Sequence, residues 1–317
     1  MFIKEARDNN KVIGEYGISF LDDFLGGIRK SDMVLIGADT GCGKSSLAYQ
    51  IAFNNAAKKK KVHLFALEAD KHEPHMKEAY TFIADQYYNK KKPYKRADMN
   101  YREFLNGNID EKEYEPELTK HMDTFYNLEI HYKEKDFTID TLVTKFNQVA
   151  LHCDIIILDH IDYFDIMGAN ENLEVTEILK ELRTISIEHH IPIIILSHIR
   201  KSQFKQATLP HKDDFMGTSN KTKITKTSIL LSPDFETCDY VSGKYGTYIQ
   251  IPKDRAFGKT NLVARCVFDR NRNKYLDQYE LHKIVCGEPH AAPLLESELP
   301  AWAINCKKFR GMASWGD

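Results

Sequence analysis

The segment at residues 38–45 constrains the fold of this chain more than any other part of its sequence. It reads Ala38-Asp39-Thr40-Gly41-Cys42-Gly43-Lys44-Ser45, which matches the phosphate-binding pattern G-x-x-x-x-G-K-[ST] except that alanine replaces the first glycine. The two glycines allow backbone N–H groups to turn toward a phosphate, and a helix beginning beside them adds its positive N-terminal end. Lys44 would neutralise the β- and γ-phosphates, and Ser45 would offer a hydroxyl to Mg²⁺. We therefore predict an ATP site over residues 38–46, including Ser46, between a strand and a helix.

The chain around this segment alternates between strand-like apolar runs and amphipathic helical stretches. Strands are predicted at residues 33–36, 62–67, 128–131, 154–158, 193–197 and 228–231, and the clearest helices at residues 44–58, 139–151 and 175–188. This alternation predicts an α/β fold with a mostly parallel, twisted sheet and helices on both faces. Residues 248–252 and 262–268 are predicted to form C-terminal antiparallel strands. We expect one domain at 17–281, an irregular arm at 1–16 and a tail at 282–317.

Composition narrows the class of protein further. The 317 residues are 42% hydrophobic and 28% charged, which is ordinary for a globular chain. The longest apolar runs are too short to span a bilayer and no secretory signal is visible, so we expect no membrane association. Six cysteines without C-x-x-C spacing are typical of an intracellular protein with free thiols, and zinc binding by Cys286, His290 and Cys306 would match no common ligand spacing. The net charge of −2 gives no global attraction to nucleic acid.

Two acidic residues are candidates for the remaining catalytic positions. Asp159 ends a β-branched apolar run, and at the carboxyl edge of a parallel sheet it would point into the nucleotide crevice and hold Mg²⁺. His160 follows it, so the group that polarises the attacking water must lie elsewhere. Glu68, which follows the 62–67 strand at the same edge, is our candidate, and the alternative is a carboxylate that only offsets a helix dipole. Asp162 is expected to be a solvated loop acid.

These motifs, in this order, resemble the helicase domain of the DnaB family over residues 17 to about 277. The resemblance begins with Gly17-Ile18-Ser19-Phe20-Leu21-Asp22 and includes Phe65-Ala66-Leu67-Glu68, which is similar to the family's catalytic-glutamate segment. His198 ends the strand that corresponds to the family's sensor strand, where glutamine is usual. It could contact the γ-phosphate or the attacking water, or be a surface histidine. The resemblance implies a RecA-like P-loop ATPase that uses ATP and Mg²⁺ and moves as a hexamer, 5′ to 3′, on single-stranded DNA.

Two later segments resemble the parts of this family that complete the motor. Lys253 and Arg255, in Pro252-Lys253-Asp254-Arg255, match a K-x-R motif whose basic pair reaches the neighbouring subunit's γ-phosphate; alone, the motif would be only an exposed strand end. Residues 214–219 resemble the family's DNA-contacting loop, which is written D-L-R-[GE]-S-G. The alternative is a solvated loop. In that loop Met216 replaces the arginine and Ser219 the glycine, while the candidate phosphate contacts are Met216, Gly217, Thr218, Ser219, Lys221 and Lys223.

The resemblance leads us to expect a ring-forming replicative DNA helicase, in a short form with room for neither a primase nor the family's N-terminal helical domain. Its expected setting is the cytoplasm of a bacterium or of a virus-infected cell, with a helicase loader or a primase as possible partners. Two alternatives stay open. One is a recombination ATPase of the RecA or RadA type. The other is an ATP-driven assembly switch that unwinds nothing, which the altered DNA loop keeps in view.

Overall fold

The computed structural model describes residues 2–38, 41–89, 99–109, 111–135, 137–164, 171–199, 209–215, 220–239, 243–258, 262–285 and 291–303. Within these residues the strands are β1 (Val12–Gly14), β2 (Ile28–Arg29), β3 (Met33–Ala38), β4 (Val62–Ala66), β5 (Leu128–Tyr132), β6 (Ile155–Asp159), β7 (Ile193–His198), β8 (Thr227–Asp239), β9 (Lys244–Asp254), β10 (Leu262–Asp269), β11 (Lys274–Ile284) and β12 (Ala291–Pro293). The α-helices are α1 (Phe2–Asn9), α2 (Ser19–Leu25), α3 (Lys44–Ala57), α4 (Glu73–Asn89), α5 (Tyr101–Leu105), α6 (Glu111–Lys120), α7 (Met122–Asn127), α8 (Ile139–Ala150), α9 (Glu171–Glu188) and α10 (Asn220–Ile224).

One large sheet organises the molecule. Its strands follow the order β12-β11-β10-β9-β8-β3-β7-β6-β4-β5, while β1 and β2 pair separately. Neighbouring strands are parallel from β8 to β5 and antiparallel from β8 to β12. The strands β3, β4 and β6 are buried along their whole length, as expected for continuous apolar runs covered on both faces. The predicted α/β fold, with a C-terminal antiparallel part, is confirmed.

The two faces of the sheet carry separate apolar clusters. Alternate residues of β4 point to opposite faces: Leu64 joins the cluster packed under α2 and α3, and Phe65 joins the one packed under α8 and α9. A smaller cluster, built around Tyr80 and Phe104, connects α4 with α5. The helices therefore press on the sheet from both sides, and the loops at the carboxyl ends of the parallel strands are left at one edge.

Several elements differ from the prediction. Residues 2–16 contain α1, which buries no residue, and β1, where an irregular arm was expected. β11 extends to Ile284 and pairs with β12, so part of the expected tail adds to the sheet. The candidate zinc residues Cys286, His290 and Cys306 lie outside the described residues, as does the rest of the tail beyond residue 303. Among the described helices, none combines the length and the apolar character needed to cross a membrane.

Candidate active site

The predicted phosphate loop lies between β3 and α3, and residues 39 and 40 fall outside the described part of the chain. Gly41 and Gly43 have φ angles of 83° and 80°, in the left-handed region that residues with a Cβ rarely adopt. Gly43 is also the N-cap of α3, and no side chain in the described residues caps that helix end. The first amides of α3 can therefore turn to an anion. Cys42 and Ser46 are half-buried, and Cys42 packs against the cluster beneath α3.

The first turn of α3 faces the carboxylate at the end of β6. Asp159 is buried there and is hydrogen-bonded to the Ser45 hydroxyl. Burial raises the pKa of Asp159, while the Ser45 hydrogen bond and the Lys44 charge oppose that rise. Burial likewise lowers the pKa of Lys44, against the attraction of Asp159. A hydroxyl and a carboxylate side by side are the oxygen ligands that Mg²⁺ takes, so this donor set fits that ion.

Glu68 lies at the same edge, immediately after β4. The backbone N–H of Leu67 donates to the carbonyl of Asp159 over 2.9 Å, which joins the end of β4 to the end of β6. The Glu68 side chain is 61% exposed, and its Oε1 lies 2.8 Å from Nε2 of His160. Because α4 begins only at Glu73, Glu68 does not occupy a helix start, and the helix-dipole alternative loses its basis.

A pair of histidines lies beside these groups. His198 ends β7 and is paired with Ala38, the last residue of β3. Ala38 is fully buried. Nδ1 of His198 lies 3.3 Å from Nζ of Lys44, and Nε2 of the same ring lies 3.1 Å from Nε2 of His160. The predicted position of His198 at the nucleotide edge is therefore observed. The sequence pattern indicates no role for His160, whereas in the structure its Nε2 lies between Glu68 and His198.

The pKa values of the two imidazoles are shifted in opposite directions. Burial lowers the pKa of His160, but its contacts with Asp162 and Glu68 outweigh burial and raise that pKa above its ordinary value. Burial and the nearby Lys44 charge lower the pKa of His198. His160 therefore keeps its proton to a higher pH than His198 does. A neutral imidazole has a single acceptor nitrogen, so His198 can accept from Lys44 or from His160, but not from both.

The structure corrects the predictions for Asp162 and Lys221. The Asp162 side chain is 7% exposed rather than solvated: it forms an ion pair with Lys221 and accepts the backbone N–H of His198 over 2.5 Å. Burial raises the pKa of Asp162, yet its contacts with His160 and Lys221 bring it well below the ordinary value. The Lys221 side chain is 1% exposed and also donates to Oγ of Ser197 over 3.0 Å. Because this ammonium is enclosed, Lys221 does not offer its charge at the surface to DNA.

The predicted DNA-contacting loop is described only at its flanks, since residues 216–219 lie outside the described chain. Before the loop, Phe215 is buried against β3 so closely that a Cβ at Gly37 would come within 2.4 Å of its ring. After the loop, Lys223 is exposed on α10. One flank of the loop is therefore anchored to the strand that carries the phosphate loop.

Lys253 and Arg255 lie at the edge of the sheet opposite the phosphate loop. β9 runs antiparallel to β8, so Lys253 is paired with Ser228 at the beginning of β8. The beginning of β8 lies beside the beginning of β3, because Thr227 is paired with Val34. The pair is therefore separated from the phosphate loop of its own chain by the length of β3, about 20 Å at roughly 3.3 Å per residue.

The same two side chains hold the C-terminal end of α10. Lys253 donates to the carbonyls of Thr222 and Thr225, and the exposed Arg255 donates to the carbonyl of Lys223. Burial, followed by the charges of Arg255 and its other cationic neighbours, lowers the pKa of Lys253 to about 8. Backbone carbonyls at a helix end are weak partners for a cation compared with a phosphate, so both groups can be redirected.

Comparison with known proteins identifies the family. Residues 15–221 match the family described as the DnaB-like helicase C terminal domain. The chain belongs to this family. It is 23% identical over 204 residues to the replicative DNA helicase DnaB of Helicobacter pylori strain 26695, which covers 62% of this chain and 38% of that protein. It is 24% identical over 198 residues to the replicative DNA helicase DnaC of Bacillus subtilis strain 168, with 58% and 39% covered.

The chain spans about two fifths of the length of these relatives. Among solved structures, the ATPase domain of a phage protein superposes with a TM-score of 0.67 at 18% identity, covering 87% of this chain and 95% of that one. A DnaB-like replicative helicase studied with primase gives 0.64 at 19% identity, with 86% and 64% covered. The predicted resemblance and the RecA-like fold are confirmed. The family match ends at residue 221, so it does not reach Lys253 and Arg255.

Proposed function

We propose that this chain is the ATP-hydrolysing motor subunit of a replicative DNA helicase whose active sites are completed between copies of the chain. One observation carries the proposal most strongly: the nucleotide-binding groups and the basic K-x-R pair lie at opposite edges of one sheet. A site that needs both sets cannot be built within one chain. Copies arranged head to tail, each offering its basic pair to the next copy's phosphate loop, would satisfy this requirement, and a closed ring is the simplest such arrangement.

The nucleotide edge would bind and cleave ATP with a division of labour among its side chains. Lys44 would bind the β- and γ-phosphates, while the Ser45 hydroxyl and the Asp159 carboxylate would hold Mg²⁺. That ion would supply positive charge against the phosphate oxygens. Glu68 would accept a proton from, or orient, the attacking water. His160 would hold Glu68 in place, since its Nε2 lies 2.8 Å from the Glu68 carboxylate.

The basic pair would complete the neighbouring site. Arg255 offers a planar fork and Lys253 a point charge, and together they can bind the oxygens of one phosphate. Within the described part of the chain, the side-chain hydrogen bonds of both residues go to carbonyls at or just after the C-terminal end of α10. Movement of the pair from those carbonyls to a phosphate would release the end of α10, which follows the predicted DNA-contacting loop. Hydrolysis at one interface would in this way alter the DNA contact of the copy that supplies the pair.

Single-stranded DNA in a central pore is the proposed substrate track. The exposed Lys223 is the described cation best situated beside the loop, and the backbone and hydroxyls of residues 216–219 would add phosphate contacts. A primase or a helicase loader as partner, a 5′ to 3′ direction and a cytoplasmic setting are proposed from the family alone.

The decisive measurement is strand displacement on a forked DNA duplex with ATP and Mg²⁺. We expect the wild-type chain to release the labelled strand and its ATPase to rise with single-stranded DNA, and we expect Lys44→Ala to do neither. The variant Lys180→Ala, changed at an exposed residue of α9, serves as the control. Pairing of homologous strands without displacement would indicate a recombination ATPase, and ATPase without either activity would indicate an assembly switch. Either result would overturn the helicase proposal.

A further inference from the structure

A cluster of potential metal ligands lies on β4 and β5, the last two strands of the described sheet, outside the candidate active site. His63 on β4 is paired with Glu129 on β5, and His131 follows two residues later on the same face of β5. Nδ1 of His63 lies 2.9 Å from Nε2 of His131. Oε2 of Glu129 lies 3.8 Å from Nδ1 of His63, and Oε1 of Glu129 lies 3.5 Å from Nε2 of His131. Ligand atoms of three side chains on two neighbouring strands therefore lie within 4.8 Å of one another.

The two imidazoles of the cluster are enclosed, and one side of the cluster is open. The side chains of His63 and His131 are 5% and 14% exposed, whereas that of Glu129 is 63% exposed. The ring of Phe65 stacks on His131 at 4.3 Å and fixes its plane. The exposed side of Glu129 leaves room for water.

We propose that His63, Glu129 and His131 form a binding site for a divalent cation of the zinc class, with water completing the coordination. Ligands of a tetrahedral zinc ion lie about 3.3 Å from one another, given bonds of roughly 2.0–2.1 Å. The three observed separations fall on both sides of that value, so small side-chain rotations are enough to accommodate the ion. Two nitrogens and one carboxylate suit zinc and its late transition-metal neighbours rather than Mg²⁺ or Ca²⁺, which take oxygen ligands.

A second group of ligand-type atoms, at Glu68, His160 and His198, does not support the same inference. There the Lys44 ammonium lies 3.3 Å from His198, where it would repel a bound cation. The hydrogen bonds of the candidate active site already account for those contacts. The cluster of His63, Glu129 and His131 has no role in the proposed ATPase reaction, so its convergence requires a separate explanation.

The consequence of a bound cation would be mechanical. β5 is the last strand of the described sheet, and it is joined to β4 by backbone hydrogen bonds. A cation bound to both strands would add a bond between them that does not depend on the backbone. Glu68 follows the end of β4, so the bound cation would also restrict movement of the strand that leads to this carboxylate.

The test uses the chelator-treated full chain, titrated with Zn²⁺ for thermal stability and with Co²⁺ for visible absorption. We expect Zn²⁺ at about a hundredfold above its Kd to raise Tm by roughly 4 °C. Co²⁺ should produce the intense visible band of a four-coordinate ion with nitrogen ligands. Glu129→Gln keeps the shape of an exposed side chain and should weaken Zn²⁺ binding at least tenfold, and His131→Ala should abolish the Co²⁺ band.

Two further variants separate this site from others. His211→Ala removes an exposed histidine elsewhere and should bind as the wild type does. His198→Gln removes a ligand from the group at the nucleotide edge and should also leave the Zn²⁺ affinity unchanged. The proposal is overturned if the wild type binds no Zn²⁺, or if Glu129→Gln and wild type bind it equally. If His131→Ala fails to fold, the Glu129→Gln comparison decides. None of these readouts depends on ATPase or helicase activity.

Discussion

His198 faces two proton donors with one acceptor nitrogen, and this competition describes the candidate active site at the scale of single residues. The Lys44 ammonium lies 3.3 Å from Nδ1 of His198. Under the proposed function, the charge of a bound triphosphate would draw Lys44 away. His198 could then accept the N–H of His160 instead. Because His160 contacts both His198 and Glu68 through Nε2, which carries a single hydrogen, this change would weaken its hydrogen bond to Glu68. The presence of γ-phosphate would thus reach the catalytic carboxylate through two imidazoles.

Replacing Glu68 with Gln should stop ATP hydrolysis while leaving ATP binding near normal, because the amide keeps the shape and cannot take a proton. We expect a loss of at least about 100-fold in kcat. ATP binding is measured by fluorescence of a labelled nucleotide, and turnover by phosphate release. The matched comparison is Asp162→Asn, which removes a charge from the buried pair with Lys221 and should lower stability first. A folded Asp162→Asn protein that binds but does not hydrolyse ATP, beside an active Glu68→Gln protein, would show that Glu68 is the wrong carboxylate.

Lys253 should impose an alkaline limit on ATPase activity. Burial lowers its pKa from 10.5 to about 8, so the ammonium loses its proton as the pH rises through about 8, where the guanidinium of an arginine side chain in its place would stay charged. Lys253→Arg should therefore remain active to higher pH than the wild type, with Lys180→Arg as the control. Between pH 8 and 10.5 the unfolded chain binds the extra proton, so this group makes the folded state more stable as the pH rises. Loss of ATPase in that window would thus not reflect unfolding through Lys253, and identical pH profiles for wild type and Lys253→Arg would exclude its charge from the reaction.

Residue roles were predictable where a local pattern fixes the geometry. The spacing of Gly41, Gly43 and Lys44 specifies a loop, and Asp159 follows from its position at the end of a buried strand. The role of Asp162 was not predictable, because a carboxylate beside a strand end is equally compatible with solvent. Lys221 was placed on the surface for the same reason: nothing near a lysine in sequence reveals a buried partner 59 positions away.

At the scale of elements, α10 connects the two ends of the parallel strands, the carboxyl ends beside the nucleotide site and the amino ends beside Lys253. Lys221 at its beginning pairs with Asp162 beside the nucleotide site, and its C-terminal carbonyls accept from Lys253 and Arg255 at the other end. A five-residue helix of this kind has little stability of its own. Its position is therefore set by these side-chain contacts.

Breaking the buried pair from the α10 side should be costly. Lys221→Met leaves the Asp162 charge buried and unpaired, which should lower the free energy of unfolding by about 3–5 kcal/mol, measured by urea denaturation. Lys223→Met, on the exposed face of the same helix, should change it by less than about 0.5 kcal/mol. The double variant Asp162→Leu/Lys221→Met removes both charges and should recover most of the loss. Equal stability of the two single variants would contradict the buried ion pair.

The elements that the sequence predicts best are those composed almost entirely of apolar residues. β4, β6 and β7 are continuous hydrophobic runs, and their predicted and observed limits differ by one residue at most. β11 was missed because its buried residues, such as Tyr275 and Leu281, are separated by charged residues that resemble a surface loop. α1 was missed because no buried face marks it.

At the scale of the whole molecule, the separation of the two site halves can be tested by mixing variants. Arg255→Ala chains keep an intact phosphate loop, and Lys44→Ala chains keep an intact Arg255. If the halves act between copies, each variant alone should be inactive, and the mixture should regain part of the ATPase activity. An arginine acting in trans contributes about 10³-fold or more to such reactions, so even a few repaired interfaces would be measurable.

Wild-type ATPase per chain should also rise with protein concentration as copies associate. Subunit exchange in the mixture is verified separately with labelled chains. Full activity of a monomer at all concentrations, or no recovery in a mixture that has exchanged subunits, would contradict a site shared between copies.

The sheet that separates the two half-sites has a further effect on any assembly built from them. Each chain would meet one neighbour through the loops after β3 and the other through the end of β9, with hydrogen-bonded strands stretched between. In a closed ring these sheets would be connected one after another around the ring. A force applied at one interface would be transmitted to the next interface through the backbone of the strands, with little loss to side-chain movement. Such a ring would transmit force over tens of ångströms while each active site needs to move by only a few.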